Sequence, residues 1–222
     1  MIVSILLATM GRPEKAEAFV HGVKATTEGH DVEIVAAIDG PDEHADRLRA
    51  LGCVVDHSPE LRGSSAAWNA ALKHATGDLL VLAADDLEWQ PGWLDAALAK
   101  LAEFPDGWGL VGFNDGHWGP ELSTHYLMSR RFVVEVLGGV VAWDCYRHSF
   151  NDREANARAQ AAGRYAWCED ARVYHRHWIF GDRPQDQTDT RLLGEHGESQ
   201  RVFDQRAAAG FPNDYEPVVE AR

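Results

Sequence analysis

The sequence predicts an α/β protein with a mostly parallel sheet flanked by helices. Two observations carry that prediction. Apolar runs of strand length alternate with helix-length stretches from the first residues to about residue 115. The runs are continuous in their apolar character, as in strands buried on both faces. The composition agrees, because 222 residues with 45% hydrophobic and 25% charged suffice for one large globular domain.

"IVSILLA" (Ile2–Ala8) is the first strand, broken by Thr9-Met10-Gly11-Arg12-Pro13. It has no basic flank before it and meets Arg12 and Pro13 soon after, so it reads as a strand and not a signal peptide. Ala18, Phe19, Val23 and Ala25 mark a helix from Glu14 to Thr27. Asp31–Asp39 is the second strand, ended by Gly40-Pro41. A short helix is expected from Glu43 to Leu51, and a third strand in "GCVVDHS". "SSAAWNAALKHA" is a helix opened by serines, a common start signal. "GDLLVLAADD" is the fourth strand, Trp93 to Phe104 a helix, and Trp108–Asp115 the fifth strand.

Beyond residue 115 the pattern loosens. Trp, His, Gly and Asp crowd "NDGHWGPELSTHYLMSRRF", "WDCYRHSFND" and "YHRHWIFGDRPQDQTD", mixtures that suit a binding region. "ESQRVFDQRAAAGF" is expected to be one helix, and Pro212 to Arg222 a solvated tail. No repeat or low-complexity segment is visible, and no apolar run approaches the roughly 20 residues of a membrane span.

The formal charge of −14 argues against broad binding to nucleic acid or anionic lipid. Cys53, Cys145 and Cys168 form no C-x-x-C pair, and their odd count argues against a disulfide framework; a reducing, cytoplasmic setting is expected. Cys168 with His175-Arg176-His177 matches no zinc spacing.

In open α/β sheets ligands bind at the carboxyl ends of the strands. Here the first strand ends in Thr9, the second in Asp39 and the fourth in Asp85-Asp86, which places three carboxylates on one rim. Such a set suits Mg²⁺ or Mn²⁺, which take oxygen ligands and often keep only one or two protein carboxylates beside substrate phosphates. The alternative is that Asp85 or Asp86 caps the next helix, although Pro91 places that helix start several residues later.

Four blocks in order resemble the family 2 glycosyltransferases of the GT-A (Rossmann-like) fold: "SILLATMGRPE", "EIVAAIDGPDE", "RGSSAAWNAALKHATGDLLVLAADDLEWQPGWLDAAL" and "HSFNDREANARAQAAGRYAWCEDARVYHRH". The resemblance runs from Ile2 to about His177. It implies an inverting, metal-dependent transfer of a sugar from a nucleotide-diphosphate donor, with Mn²⁺ or Mg²⁺ as cofactor. Asp39 would contact the base, Thr9 the nucleoside and Arg62 the diphosphate. Asp85 would face the ribose or donor sugar, Asp86 the metal, and His175 the closing end of the nucleotide site. Asp152 would be the catalytic base, with Glu154 and Asp144 in reserve; on the residues alone, Asp152 reads rather as a helix N-cap. Either His175 or His177 would reach the metal.

Two positions depart from the family pattern. The motif is Ala84-Asp85-Asp86 in place of a strict Asp-x-Asp, and Trp68 stands before Asn69 where an Arg is usual. The implied organisation is a glycosyltransferase domain over 1–178, with a nucleotide-binding half (1–115) and an acceptor half (116–178). Residues 179–222 would be a helical extension and tail. An imide-like N–H opposite Asp39 points to a UDP-sugar. The acceptor is open between a glycan, a protein, a lipid-linked sugar and a modified base, and one or two of Trp118, Trp143 and Trp178 are expected to line its cleft. The alternatives are a non-catalytic nucleotide- or glycan-binding domain and, less favoured, a nucleotidyltransferase, for which "TMGRPEK" has too few glycines.

Overall fold

A computed structural model describes residues 1–41 and 44–214. Fifteen helices and strands follow in order: β1 (Ile2–Thr9), α1 (Pro13–Thr26), β2 (Asp31–Asp39), α2 (Ala45–Ala50), β3 (Val54–Ser58), α3 (Ser64–His74), β4 (Leu79–Ala84), β5 (Leu87–Trp89), α4 (Trp93–Leu101), β6 (Leu110–Asn114), β7 (Tyr126–Ser129), α5 (Arg130–Glu135), α6 (Asn151–Ala161), β8 (Tyr165–His175) and α7 (Gln187–Ala208). A single 3-10 turn, Trp178–Phe180, lies between β8 and α7. Glu43, expected to open a helix, and residues 215–222 of the expected tail lie outside the described residues.

The sheet has the order β3-β2-β1-β4-β7-β6-β8-β5. Strands β1 to β4 are parallel to one another. Strand β7 enters antiparallel between β4 and β6, β8 pairs parallel with β6, and β5 closes the edge antiparallel. Six strands therefore run one way and two the other. The consequence is functional: the carboxyl ends of β1, β2, β4, β6 and β8 share one rim.

Consecutive apolar residues in the strands divide between two cores. Val3, Ile5 and Leu7 pack with Phe19, Val23, Leu48 and Trp93, under α1, α2 and α4. Leu6, Val35, Leu80 and Leu82 pack with Ala67, Trp68, Phe132 and Ala159, under α3, α5 and α6. Val202 of α7 joins this second core. Burial on both faces is why the strands read as unbroken apolar runs.

Local signals explain the helix starts near the rim. Pro13 stands at the first position of α1, where its missing N–H costs nothing. Gly63 precedes α3 with φ of 91°, and a Cβ there would meet the Arg147 carbonyl oxygen at 2.7 Å. Asp186 and Asp189 form a reciprocal capping box at the start of α7. That helix begins at Gln187, well before the expected Glu198, because Gly194 and Gly197 disguise its first turns in sequence. Among the described residues no helix is long and apolar enough to cross a membrane.

Candidate functional site

The turn after β4 puts Asp85 and Asp86 on the rim with different surroundings. Thr9, at the end of β1, donates its hydroxyl to Asp85 Oδ2 at 2.7 Å, and Arg12 Nη1 donates to Asp85 Oδ1 at 3.1 Å. Burial and the neighbouring Asp86 push the Asp85 carboxyl up to about 6, against the pull of Arg12 and Thr9. Asp86 faces His175 Nε2 at 3.3 Å and accepts from Arg183 Nη2 at 3.1 Å. Burial opposes its ionisation, but His175 and Arg183 outweigh burial and hold it well below the usual carboxylate range. The same contact works in reverse on His175: burial lowers its pKa, Asp86 raises it, and the net direction is up.

His175 ends β8, and its position is fixed from both sides. Its N–H donates to the Asp115 carbonyl at 3.0 Å, and the N–H of Arg176 donates to the Asp86 carbonyl at 2.9 Å. Its Nδ1 is buried with no hydrogen-bond partner. Two further histidines border the same space. Burial pushes His125 down to about 3, with charge on His175 adding to the effect, and pushes His148 down to about 4. Ser64 Oγ lies 3.1 Å from His148 Nδ1.

Arg12 and Arg183 tie this rim to the start of α7. Arg12 contacts Asp186 through two nitrogens at 2.9 Å and Asp189 at 2.5 Å. Arg183 contacts both oxygens of Asp189 at 2.5 and 2.9 Å, and Lys15 reaches Asp186 at 2.8 Å. Two arginines thus bridge the motif carboxylates and the capping box of a helix a hundred residues away in sequence.

At the other end of the rim, Asp39 is 5% exposed. Its Oδ2 accepts from the backbone N–H of Arg62 and of Gly63, and its Oδ1 from Arg62 Nε at 3.0 Å. Arg62 also donates to Asp56 at 2.8 Å. The guanidinium of Arg62 is engaged by Asp39 and Asp56, and it does not meet Asp85 or Asp86. Three of the four acceptor directions of Asp39 are used, which leaves one on Oδ1.

Asp152 is the second residue of α6, so it is inside the first turn and not the N-cap. The cap position is Phe150, in a left-handed conformation with φ of 80°. Asn151 anchors this start by accepting from the Trp143 N–H at 2.7 Å and donating to Ser65 Oγ at 2.5 Å. Asp152 is half-buried, burial raises its pKa, and among the described residues no cationic side chain pairs with it. The reserve carboxylates are placed otherwise. Glu154 is fully buried and accepts from Tyr146, Arg158 and Arg206. Asp144 is exposed and accepts from Asn69. Trp68, in place of the usual Arg, is buried and donates to the Ala83 carbonyl at 2.9 Å, bracing the strand that carries the motif.

Two adjoining cavities hold these groups. The larger, about 280 Å³, is lined by Asp86, Asp152, His125, His148, His175 and His177 among others. The smaller, about 80 Å³, is lined by Thr9, Asp39, Gly63, Asp85 and Arg147 among others. Arg12, Trp68, Ala84, His148 and Leu192 border both. Of the tryptophans weighed for a cleft, Trp118 and Trp178 line the larger cavity, and Trp143 is core.

Among the described residues no three His, Cys, Asp or Glu side chains form a ready metal cage. The donors still fit a hard divalent cation that takes most of its ligands from substrate and water. Asp86 Oδ1 and His175 Nε2 are 3.3 Å apart, close to the spacing of adjacent ligands on an ion with bonds of roughly 2.1 Å.

Residues 4–138 match glycosyl transferase family 2. The chain belongs to that family. In sequence, no curated protein matches the chain. Solved structures share its fold at low identity. The mannosyltransferase PcManGT from Pyrobaculum calidifontis, in complex with GDP-Man and Mn²⁺, is 16% identical with a TM-score of 0.64, over 93% of this chain and 73% of that one. Glucosyl-3-phosphoglycerate synthase from Mycobacterium tuberculosis, in complex with Mn²⁺, UDP and glucosyl-3-phosphoglycerate, is 17% identical with a TM-score of 0.64, over 96% and 81%. Residues 1–349 of S. aureus TarS, in complex with UDP-GlcNAc, are 16% identical with a TM-score of 0.60, over 78% and 58%. The present chain is thus a family 2 glycosyltransferase with the GT-A fold.

Arg12, Arg183, Asp189, His125 and His148 line the larger cavity or contact Asp85 and Asp86, and the sequence did not single them out. Arg12 carried a usable signal, since it follows the first strand in the turn that faces the rim. The others carried none, because only the tertiary fold brings them there.

Proposed function

We propose that this glycosyltransferase moves a sugar, with inversion, from a nucleotide-diphosphate donor to an acceptor hydroxyl. One observation carries the reading: an Asp86–His175 pair, its side chains 8% and 12% exposed, and a half-buried, unpaired Asp152 face the same cavity. The donor would lie along the rim. Asp39, with one free acceptor direction, would receive a base N–H, which supports UDP. Thr9 and Asp85 would face the nucleoside and the sugar. Asp86 and His175 would hold Mn²⁺ or Mg²⁺, which when bound supplies Lewis-acid stabilisation of the departing diphosphate. Arg12 and Arg183, which contact Asp85 and Asp86, would add positive charge near the same phosphates.

Asp152 would accept the proton of the acceptor hydroxyl as the new bond forms. A carboxyl raised by burial is a better base than an exposed one once ionised. Attack from the Asp152 side with departure toward Asp86 would invert the anomeric centre. Residues 1–115 would serve the donor and 116–178 the acceptor. The start of α7, inside the expected 179–222 extension, would be added to the donor site. Three free cysteines support a cytoplasmic setting.

Thermal unfolding with UDP, GDP, dTDP and CMP, each with and without Mn²⁺, tests this. A ligand at about 100 times its dissociation constant adds about 2.7 kcal/mol. For a domain of this size that is a rise of about 5–10 °C. The expected result is a Mn²⁺-dependent rise with UDP that Asp86→Ala abolishes. No rise with any nucleotide would favour the non-catalytic reading.

A further inference from the structure

The larger cavity changes character between its floor and its mouth. Its floor carries Asp86, Asp152 and histidines. Three separate segments contribute apolar side chains to its lining: Trp118 from the β6–β7 loop, Ile179 and Phe180 from the 3-10 turn, and Leu193 from α7. These four are 41%, 60%, 45% and 48% exposed. Among the described residues only seven large hydrophobic side chains are 41% or more exposed, and four of them line this one cavity. Single exposed apolar residues need no explanation, but a cluster from three segments around a site does.

The cluster is held in place. Phe180 stacks on His117 with ring centres 4.0 Å apart and planes 12° apart, and Trp118 meets Phe180 edge-on at 6.0 Å. His117 Nε2 is fixed by Asp182 at 2.7 Å. Asp115, 1% exposed, accepts from the N–H of His117, the N–H of Trp118 and the hydroxyl of Thr124. A buried carboxylate thus orders the loop that presents the aromatic surface, which lowers the entropy cost of binding against it.

An acceptor must put one hydroxyl beside Asp152 while the rest of it leaves through the mouth. A free sugar would find no hydrogen-bond partner on Ile179 or Leu193 and would gain little from them. An aromatic or aliphatic body would bury against all four. We infer that the acceptor is amphiphilic, a hydroxyl-bearing head carried on an apolar body that lies on Trp118, Ile179, Phe180 and Leu193. The inference rests on the proposed role of Asp152 and names the acceptor class of that site.

Three probes with one head separate the possibilities: methyl, p-nitrophenyl and octyl β-D-glucoside, the last below its micelle threshold. Each is titrated calorimetrically into the full chain, and UDP with Mn²⁺ is titrated separately. The expected result is at least tenfold tighter binding of the p-nitrophenyl or octyl probe than of the methyl one. The stronger of the two tells an aromatic body from an aliphatic one. Trp118→Ser and Ile179→Ser should each weaken that probe at least fivefold, with UDP binding reporting that the variants fold. Equal affinities for the three probes, or no binding of any, overturn the inference. So does a variant that dissociates a dimer without changing probe binding, which would assign the mouth to a second copy of the chain. Failure of UDP to bind would count against the donor reading alone, because the glucoside series reads the mouth independently.

Discussion

At the residue scale, the decisive position is Asp152. Its sequence context allowed a helix cap or a base, and the cap reading depended on where α6 begins. The helix begins one residue before it, with Phe150 at the cap, so the carboxylate is free of that duty. Asp152→Asn should lower transfer by about 10²–10⁴-fold, the usual size of a general-base contribution. Binding of UDP with Mn²⁺ should change less than twofold. Single-turnover transfer and calorimetry on the same variant check both halves, and a variant that keeps its transfer rate would remove Asp152 from the chemistry. The aspartates at strand ends were legible because a carboxylate that ends a buried run stands out against the apolar pattern. Glu154 was less legible. Its first-turn position resembled that of Asp152, yet Arg206, 52 residues on, takes it as a buried partner. That distinction lives in a contact between distant segments, which no local pattern encodes.

At the element scale, α7 is the part whose role sequence conveyed least. Its lower half was visible as a helix, whereas its first turns hid behind Gly194 and Gly197 and a polar stretch. The helix grips the fold at two places. Arg206, 1% exposed, pairs with fully buried Glu154 on α6. Arg206→Met removes one of the two arginines that balance that carboxylate, leaving Arg158, and should cost about 1.5–3 kcal/mol. Urea unfolding reads the loss, and adding Glu154→Gln should recover part of it. At the other end, Arg183 occupies Asp86 Oδ2 and bridges to Asp189. A cation approaching Asp86 meets that guanidinium. Arg183→Gln should therefore tighten Mn²⁺ binding measured in the absence of nucleotide; weaker or unchanged binding would show that Arg183 does not compete. Strands β5 and β7 were also missed, for a simpler reason: runs of three and four residues carry too little period to read.

At the scale of the whole molecule, the alternating first half made the fold class legible, while the mixed second half of the sheet was not, since antiparallel insertion of β7 depends on packing beyond residue 115. That topology gathers ionisable groups onto one rim, and their shifts set how stability follows pH. Asp85, raised to about 6, binds a proton in the folded state over a window where the unfolded carboxyl, near 3.9, has lost it. Stability from this group falls as pH rises through that window. His148, lowered to about 4, acts in the opposite sense. The unfolded imidazole, near 6.5, takes up a proton that the folded one refuses, so its contribution is complete above about 6.5 and is lost as pH falls toward 4. His125, lowered to about 3, adds to the slope of His148, and both oppose that of Asp85 between about pH 4 and 6. His148→Asn removes one of them. The stability gap between wild type and variant should widen from pH 4 to about 6.5 and stay constant above. Urea midpoints at pH 4.5, 5.5 and 7 measure the gap, and a gap independent of pH would show that His148 titrates in the fold as it does in the open chain.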